Sequence, residues 1–392
     1  MTARPIYMDY NAHAPMDPAV RERMAWANVE LDANPHAAGV EGEAAAAAIG
    51  EARAQIAALI GSPPNDIVFT SGATEANNLA LLGIADHLAA IGRRTLVVGA
   101  GEHPSVLRAA DHLAGRGFDV RLAPLQRDGL VDLDRLGELL DDTVGLVSVA
   151  AANHEVGAVQ PLLEISTRTR AAGALLHSDL AQAASKVPIE AAWIDLGSLS
   201  AHKLGGPTGV GALYVSRSLR RAMRALQHGG GQEGGLRSGT LSAALCVGFG
   251  AACAISRDKM SAEAARVSRL RDQLRDGLLA LGGVFVNGGM THRLPGNLNV
   301  SIAGVDAEAL VLKVRSGLSI ATGSACTAQS IEPSHVLLAL GLDRSEAEAS
   351  VRISLGRFTT REEVGEALVI LEKAIGDLRS LVARASYSAA AE

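Results

Sequence analysis

The chain has 392 residues, 48% of them hydrophobic and 20% charged, with a formal net charge of −6. This is the profile of a folded protein of two or so domains and excludes an intrinsically disordered chain; the acidic balance also argues against direct nucleic-acid binding, which needs a basic face. Three cysteines cannot form a disulfide framework. No segment reaches the roughly 18 apolar residues of a membrane span, and Met1–Pro5 lacks the apolar stretch of a secretory signal, so a cytoplasmic protein without membrane contact is expected.

From Ala44 onward, helical and strand patterns alternate. Ala44–Ile60 reads as a helix stopped by Gly61-Ser62-Pro63-Pro64. Asp66–Thr70 reads as a short buried strand, followed by Ser71-Gly72 and a helix over Ala73–Ile91. Strand-like runs recur at Thr95–Gly99, Val120–Ala123, Val144–Ala150, Ala174–His177, Leu196–Leu199 and Val210–Val215. Helical patterns at Ser105–Leu113, Leu133–Leu140 and Leu162–Ala172 lie between several of them. Short apolar strands separated by helices indicate a mostly parallel sheet covered on both faces, with ligands bound at the carboxyl ends of its strands. After Gly229-Gly230-Gly231 the texture changes. Leu241–Ile255 reads as a buried apolar helix, and Met260–Leu281 as a separate amphipathic one connecting two domains. Strands at Val284–Val286, Leu298–Ile302 and Val351–Ser354, with helices at Ala307–Val314 and from Arg361, suggest a smaller α+β domain.

Three stretches carry chemistry at expected strand ends. Ser200-Ala201-His202-Lys203 places a lysine beside a hydroxyl and an imidazole; alone it reads equally well as a surface lysine closing a strand. Asp179, closing another strand 24 residues earlier, shifts the balance. A lysine able to form a Schiff base and a carboxylate able to keep a pyridine nitrogen protonated together suit pyridoxal phosphate. Ser71-Gly72-Ala73-Thr74-Glu75 adds a glycine turn into a helix N-terminus, a favourable place for a phosphate.

With these stretches, others resemble the NifS/IscS-like cysteine desulfurases, within the class V aminotransferases of the fold-type I pyridoxal-phosphate enzymes. They are Met8-Asp9-Tyr10-Asn11, Val68–Ala80, Glu102-His103, Ser200–Lys203, Arg237-Ser238-Gly239-Thr240, Gly323-Ser324-Ala325-Cys326-Thr327 and Arg352–Arg357, in the family's order along nearly the whole chain. The resemblance implies an α/β fold: a large cofactor domain over residues 15–258, and a small domain of residues 1–14 and 259–392 carrying the catalytic cysteine loop. It implies that Lys203 holds pyridoxal 5'-phosphate and shuttles the substrate's α-proton, that Asp179 pairs with the pyridine nitrogen and Gln182 with the ring oxygen, and that His103 stacks on the ring. Ala73, Thr74, Ser200 and His202 would hold the phosphate, joined by Thr240 from the partner of a homodimer. Arg352 would clamp the substrate carboxylate, with Asn34 and His154 near the substrate.

Cys246 and Cys253, seven residues apart on an apolar helix, read as core packing. Cys326, among Gly, Ser, Ala and Thr, reads as the nucleophile that takes sulfur from L-cysteine as a persulfide, leaving alanine, and passes it to an acceptor protein. The histidines lack partners at zinc spacing, so no metal site is expected. Several positions depart from the family pattern. His154 stands for a second asparagine, His13-Ala14 for two threonines, Gly234 for an arginine and Gly205 for a tyrosine, and Asn34-Pro35-His36 continues as Ala37-Ala38-Gly39. Two competing readings share the fold: another class V enzyme, such as an aminotransferase, epimerase or C–S lyase acting on a different amino acid, and a non-catalytic cofactor-binding scaffold for sulfur-transfer partners.

Overall fold

The computed structural model describes residues 4–322 and 332–389, with side chains as far as residue 381. A two-residue strand, β1 (Ile6–Tyr7), leads to helices α1 (Pro18–Glu30) and α2 (Val40–Leu59). The alternating part then runs β2 (Ile67–Thr70), α3 (Ala73–Ala90), β3 (Thr95–Gly99), α4 (Pro104–Ala114), β4 (Asp119–Ala123), α5 (Leu133–Leu139), β5 (Val144–Ser148), α6 (Leu162–Ala171), β6 (Leu175–Asp179), β7 (Leu196–Ser200) and β8 (Gly211–Val215). These boundaries lie within about two residues of those read from hydrophobic pattern, apart from the α2 start. Helix α1 carried no such pattern; its signal is chemical, Asp17 accepting from the Ala19 N–H as the cap and Pro18 opening the first turn.

Strands β2–β8 form one sheet in the order β2-β8-β7-β6-β5-β3-β4. Pairing is parallel from β4 through β7, and β8 alone runs the other way, antiparallel to both β7 and β2. The carboxyl ends of β2, β3, β5, β6 and β7 therefore share one edge, where their loops meet. Side-chain alternation splits the sheet's burial between two faces. Val97 and Val147 join Ile49, Ile56 and Phe249 on one side, while Leu96, Val98 and Leu146 join Leu81, Ile84 and Leu113 on the other.

The expected pair of helices after the triple glycine is a single one, α7 (Ala243–Ala280), 38 residues long. Ser256, Arg257, Asp258 and Lys259 contain no glycine or proline to break it, and the change of hydrophobic pattern marks a change of surroundings instead. Its first half packs against α1 and α2, and Val267, Leu270, Leu274 and Leu278 enter a second cluster. Around that cluster the chain runs β9 (Val284–Val286), β10 (Asn297–Ile302), α8 (Ala307–Val314), β11 (Leu318–Ser319), β12 (Ala321–Thr322), α9 (His335–Ala339), α10 (Arg344–Glu348), β13 (Ser350–Ser354) and α11 (Arg361–Ala389), with β12-β13-β10-β9 as an antiparallel sheet; α9 and α10 pack instead with Val156 and Ala158 in a small cluster of their own. The N-terminal segment is stitched to this second unit: β1 pairs with β11, and Met8 O accepts from the Ser354 N–H. It thereby carries Asn11 and Ala12 to the edge of the large sheet. Among the described residues, no helix is long and apolar enough to cross a membrane.

Candidate active site

A cleft of about 390 Å³ opens at the shared carboxyl edge and is lined by Thr74, His103, Asp179, Gln182, Ser200, His202 and Lys203 on the sheet side, with His154 and Arg352 opposite. Each strand end contributes one part. After β6, the buried Asp179 carboxylate accepts from Asn77 Nδ2 of α3 at 2.8 Å and from the Ala181 N–H at 2.9 Å, which fix its orientation toward the cleft. After β7, Ser200 Oγ lies 2.8 Å from His202 Nδ1, and burial pushes the His202 imidazole down to about 4. Lys203 Nζ donates to the carbonyls of Asn11 and Ala12 at 2.5 and 2.8 Å. After β2, Gly72 is extended rather than left-handed, and a Cβ there would meet open space. The turn itself thus does not demand glycine; its bareness leaves the start of α3 clear. Glu75 in that first turn is held by Arg237 Nε at 3.0 Å and the Ser71 N–H at 2.7 Å. Burial alone would raise its carboxyl, but these bonds bring it below its ordinary value.

His103 caps α4. Its Nδ1 accepts from the Ser105 N–H at 3.1 Å and lies 2.8 Å from Ser105 Oγ. A backbone N–H can only donate, so the neutral ring carries its proton on Nε2. Burial lowers its pKa, offset in part by Asp179.

The opposite wall also buries titratable groups. His154 meets His103 edge-on, ring centroids 5.4 Å apart, and is held well below an ordinary imidazole by burial, with His103 and Arg352 adding to the effect. Its Nε2 lies 3.6 Å from Glu155, whose carboxyl burial pushes up to about 7 although Ser334 Oγ donates to it at 2.5 Å. Arg352, 2% exposed, donates through Nη2 to Asp9 at 2.9 Å and through Nη1 to the His154 carbonyl at 3.1 Å. Its Nε is buried without a partner. The guanidinium expected to grip a substrate carboxylate is thus already engaged at two of its corners by its own chain.

Two expected site residues are not brought to this cleft within the chain. Asn34 sits in the exposed turn between α1 and α2, its Oδ1 accepting from the His36 N–H. Thr240 is exposed and absent from the cleft lining. Cys326 lies outside the described residues. Cys246 and Cys253 are buried in α7, where burial pushes the Cys246 thiol up to about 12 and Cys253 higher still, which suits packing and not nucleophilic work. Two departures from the family pattern have a backbone reason: Gly205 and Gly234 have φ of 79° and 65°, conformations that a tyrosine or arginine adopts only under strain. Reading the sequence alone missed Asn77, which buttresses Asp179, and Lys186, which donates to Gln182 Oε1 at 2.9 Å. The i,i+4 spacing of Gln182 and Lys186 was the available signal. Among the described residues, no three His, Cys, Asp or Glu side chains gather as metal ligands.

The family model described as aminotransferase class-V matches residues 6–367. A cysteine desulfurase IscS of Tolumonas auensis is 44% identical over 386 residues, covering 96% of this chain and 94% of that protein. Among solved structures, a NifS-like protein superposes with a TM-score of 0.89 at 34% identity, covering 95% of this chain and all of the other. SspA in complex with cysteine superposes with a TM-score of 0.79 at 33% identity, covering 91% of this chain and all of SspA. The chain therefore belongs to the aminotransferase class-V family, as an enzyme of its NifS/IscS-like cysteine desulfurase group.

Proposed function

We propose that the protein uses pyridoxal 5'-phosphate to convert L-cysteine to L-alanine, with Cys326 receiving the sulfur as a persulfide for an acceptor protein. The observation that carries this reading is the convergence, in one cleft, of the Lys203 amine, the buried Asp179 carboxylate and the His103 imidazole, with Arg352 on the facing wall. The residues fit the cofactor's chemistry. Open space where a Cβ at Gly72 would stand leaves room for a phosphate beside Thr74, Ser200 and His202 at the start of α3. The Asp179 carboxylate, held by Asn77, suits a protonated ring nitrogen, and Arg352 on the facing wall has a buried Nε without a partner.

When bound, the cofactor supplies an aldehyde for an amine and an electron sink for charge developing at the substrate's α-carbon. Lys203 carries the α-proton, and the Asn11 and Ala12 carbonyls fix where its amine starts. Neutral His103, proton on Nε2, donates or accepts at the rim of the cleft. Arg352 orients the substrate carboxylate from the facing wall. The Cys326 thiolate attacks the substrate sulfur: the new S–S bond forms as the Cβ–S bond breaks, the electron pair goes to the carbon side, and a proton from Lys203 or His103 completes alanine. Overall, cysteine plus the enzyme thiol give alanine plus the enzyme persulfide, with no external oxidant or reductant.

A homodimer in which Thr240 completes the partner's phosphate site fits the exposed position of Thr240. We also place the domain division at residues 258/259, within α7, with residues 1–14 on the small-domain side. The test is Cys326→Ala: it should retain the cofactor's visible absorbance and lose alanine and sulfide formation. Unchanged turnover would favour another class V reaction.

A further inference from the structure

Lys186 lies behind the cleft, lining the small cavity next to it and touching the cleft residues Gln182 and Asn11, and nothing in the proposed reaction uses it. It sits one turn after Gln182 on the helical turn that follows β6, where Val187 N–H donates to Ala183 O. Its Nζ lies 2.9 Å from Gln182 Oε1 and 3.4 Å from Asn11 Oδ1. Gln182 Nε2 in turn donates to Asn11 O at 2.8 Å, the same carbonyl that accepts from Lys203 Nζ at 2.5 Å. An ammonium can only donate, so the Gln182 atom facing Lys186 is the oxygen and the amide's N–H groups face Asn11 and the cleft.

We propose that Lys186 is a positioning residue of the cofactor site: it locks the orientation of the Gln182 amide and, through Asn11, the carbonyl against which Lys203 rests. The proposal rests on the cofactor reading above, in which Gln182 faces the ring oxygen. With the amide locked, Gln182 presents a donor to that oxygen and stabilises its anionic form; released, the amide is free to turn its own oxygen inward, which repels it. The groups facing Lys186 are consistent with a clamp under tension. Lys203 and Arg352 are like charges, and a narrow cavity of about 70 Å³ at the junction of the two hydrophobic clusters adds Glu263 and Arg357, which are paired with each other. Burial, then Lys203 and Arg352, bring the Lys186 amine down to about 7. Its donor-only form, and with it the lock, is strongest below neutral pH.

The test is a pH titration of the visible absorbance of the holoenzyme and of Lys186→Met, each alone and in a Gln182→Ala background. Lys186→Met should raise the midpoint by about half a pH unit or more, because both the directed N–H and a nearby positive charge are lost. In the Gln182→Ala background the rise should fall to less than half of that, leaving only the through-space charge effect. Lys186→Gln, polar and of similar reach, is the second variant should Lys186→Met fail to fold, and is expected to shift the midpoint the same way; Lys186→Arg should restore it. Midpoints that coincide with the wild type, or a shift of equal size with and without Gln182, would overturn the role. A wild-type protein that binds no chromophore when given pyridoxal phosphate would instead overturn the cofactor reading, and this proposal with it.

Discussion

The two walls of the cleft are made of similar residue types and behave differently. On the sheet side, Asp179, His103, Ser200 and Lys203 each sit at a strand end with partners from the same crevice, and the polar layer continues inward to His177, held between Ser148 Oγ at 2.8 Å and Ser198 Oγ at 3.1 Å. On the facing side, His154, Glu155 and Arg352 are buried beside β13 and the loop after β5 with incomplete partners: a carboxyl pushed up to about 7, an imidazole 3.6 Å from it, and an orphaned guanidinium nitrogen. The sheet-side groups that line the cleft are each held by a neighbour, although Asn77 Oδ1 and Glu102 Oε2 behind them are buried without partners; on the facing wall the unpartnered atom belongs to the cleft residue Arg352 itself. The difference fits the proposed reading, with the cofactor against the first wall and the substrate against the second.

The sharpest break is Lys203→Ala. It should remove the visible absorbance of the bound cofactor and lower turnover by about 10³-fold or more, read by alanine formation and by the spectrum of the purified protein. Next comes acid stability. Burial holds His177 at about 4, against an ordinary value of 6.5, so the unfolded chain binds the proton more readily. Its contribution is complete above pH 6.5 and is lost as pH falls toward 4, a decline of about 3 kcal/mol from this one group. Denaturant unfolding across that window measures it; a flat profile would mean that the sheet-side wall is less tightly committed than its hydrogen bonds imply.

On the facing wall, Arg352→Gln should lower kcat/KM for cysteine by about 100-fold, mainly through KM, while the cofactor spectrum stays; a loss confined to kcat would move Arg352 out of substrate binding. The acid limb of kcat/KM should fall below pH 6.5, because burial depresses His103 and the base form persists. The smallest effect belongs to His154→Asn. Its neutral, buried ring makes contact without charge, so turnover should change by less than about tenfold, whereas a larger loss would make His154 an essential part of the chemistry.

Most of the sheet was legible because its strands are short, mainly apolar runs between helices, and parallel strands buried on both faces leave that signature. Asp179, Lys203 and the Ser71–Glu75 turn were legible for the same reason, since a strand end followed by a polar residue marks the ligand edge, whereas His103 entered only through the family resemblance. What escaped was set by tertiary contact. The continuity of α7 could not be read from a pattern that changes as the helix moves from one core to another. Arg352 looked like a free clamp because its partners Asp9 and His154 lie 343 and 198 residues away. Lys186 was not singled out at all, and only the fold shows that its amine meets Gln182 and Asn11.

The central claim, that the cleft removes sulfur from L-cysteine, is tested most directly by incubating the purified, cofactor-loaded protein with L-cysteine and a thiol reductant and measuring alanine against sulfide. Equal amounts of alanine and sulfide are expected, with none from Cys326→Ala. Pyruvate and ammonia in place of alanine, or amino-group transfer to a keto acid with the sulfur retained, would contradict it.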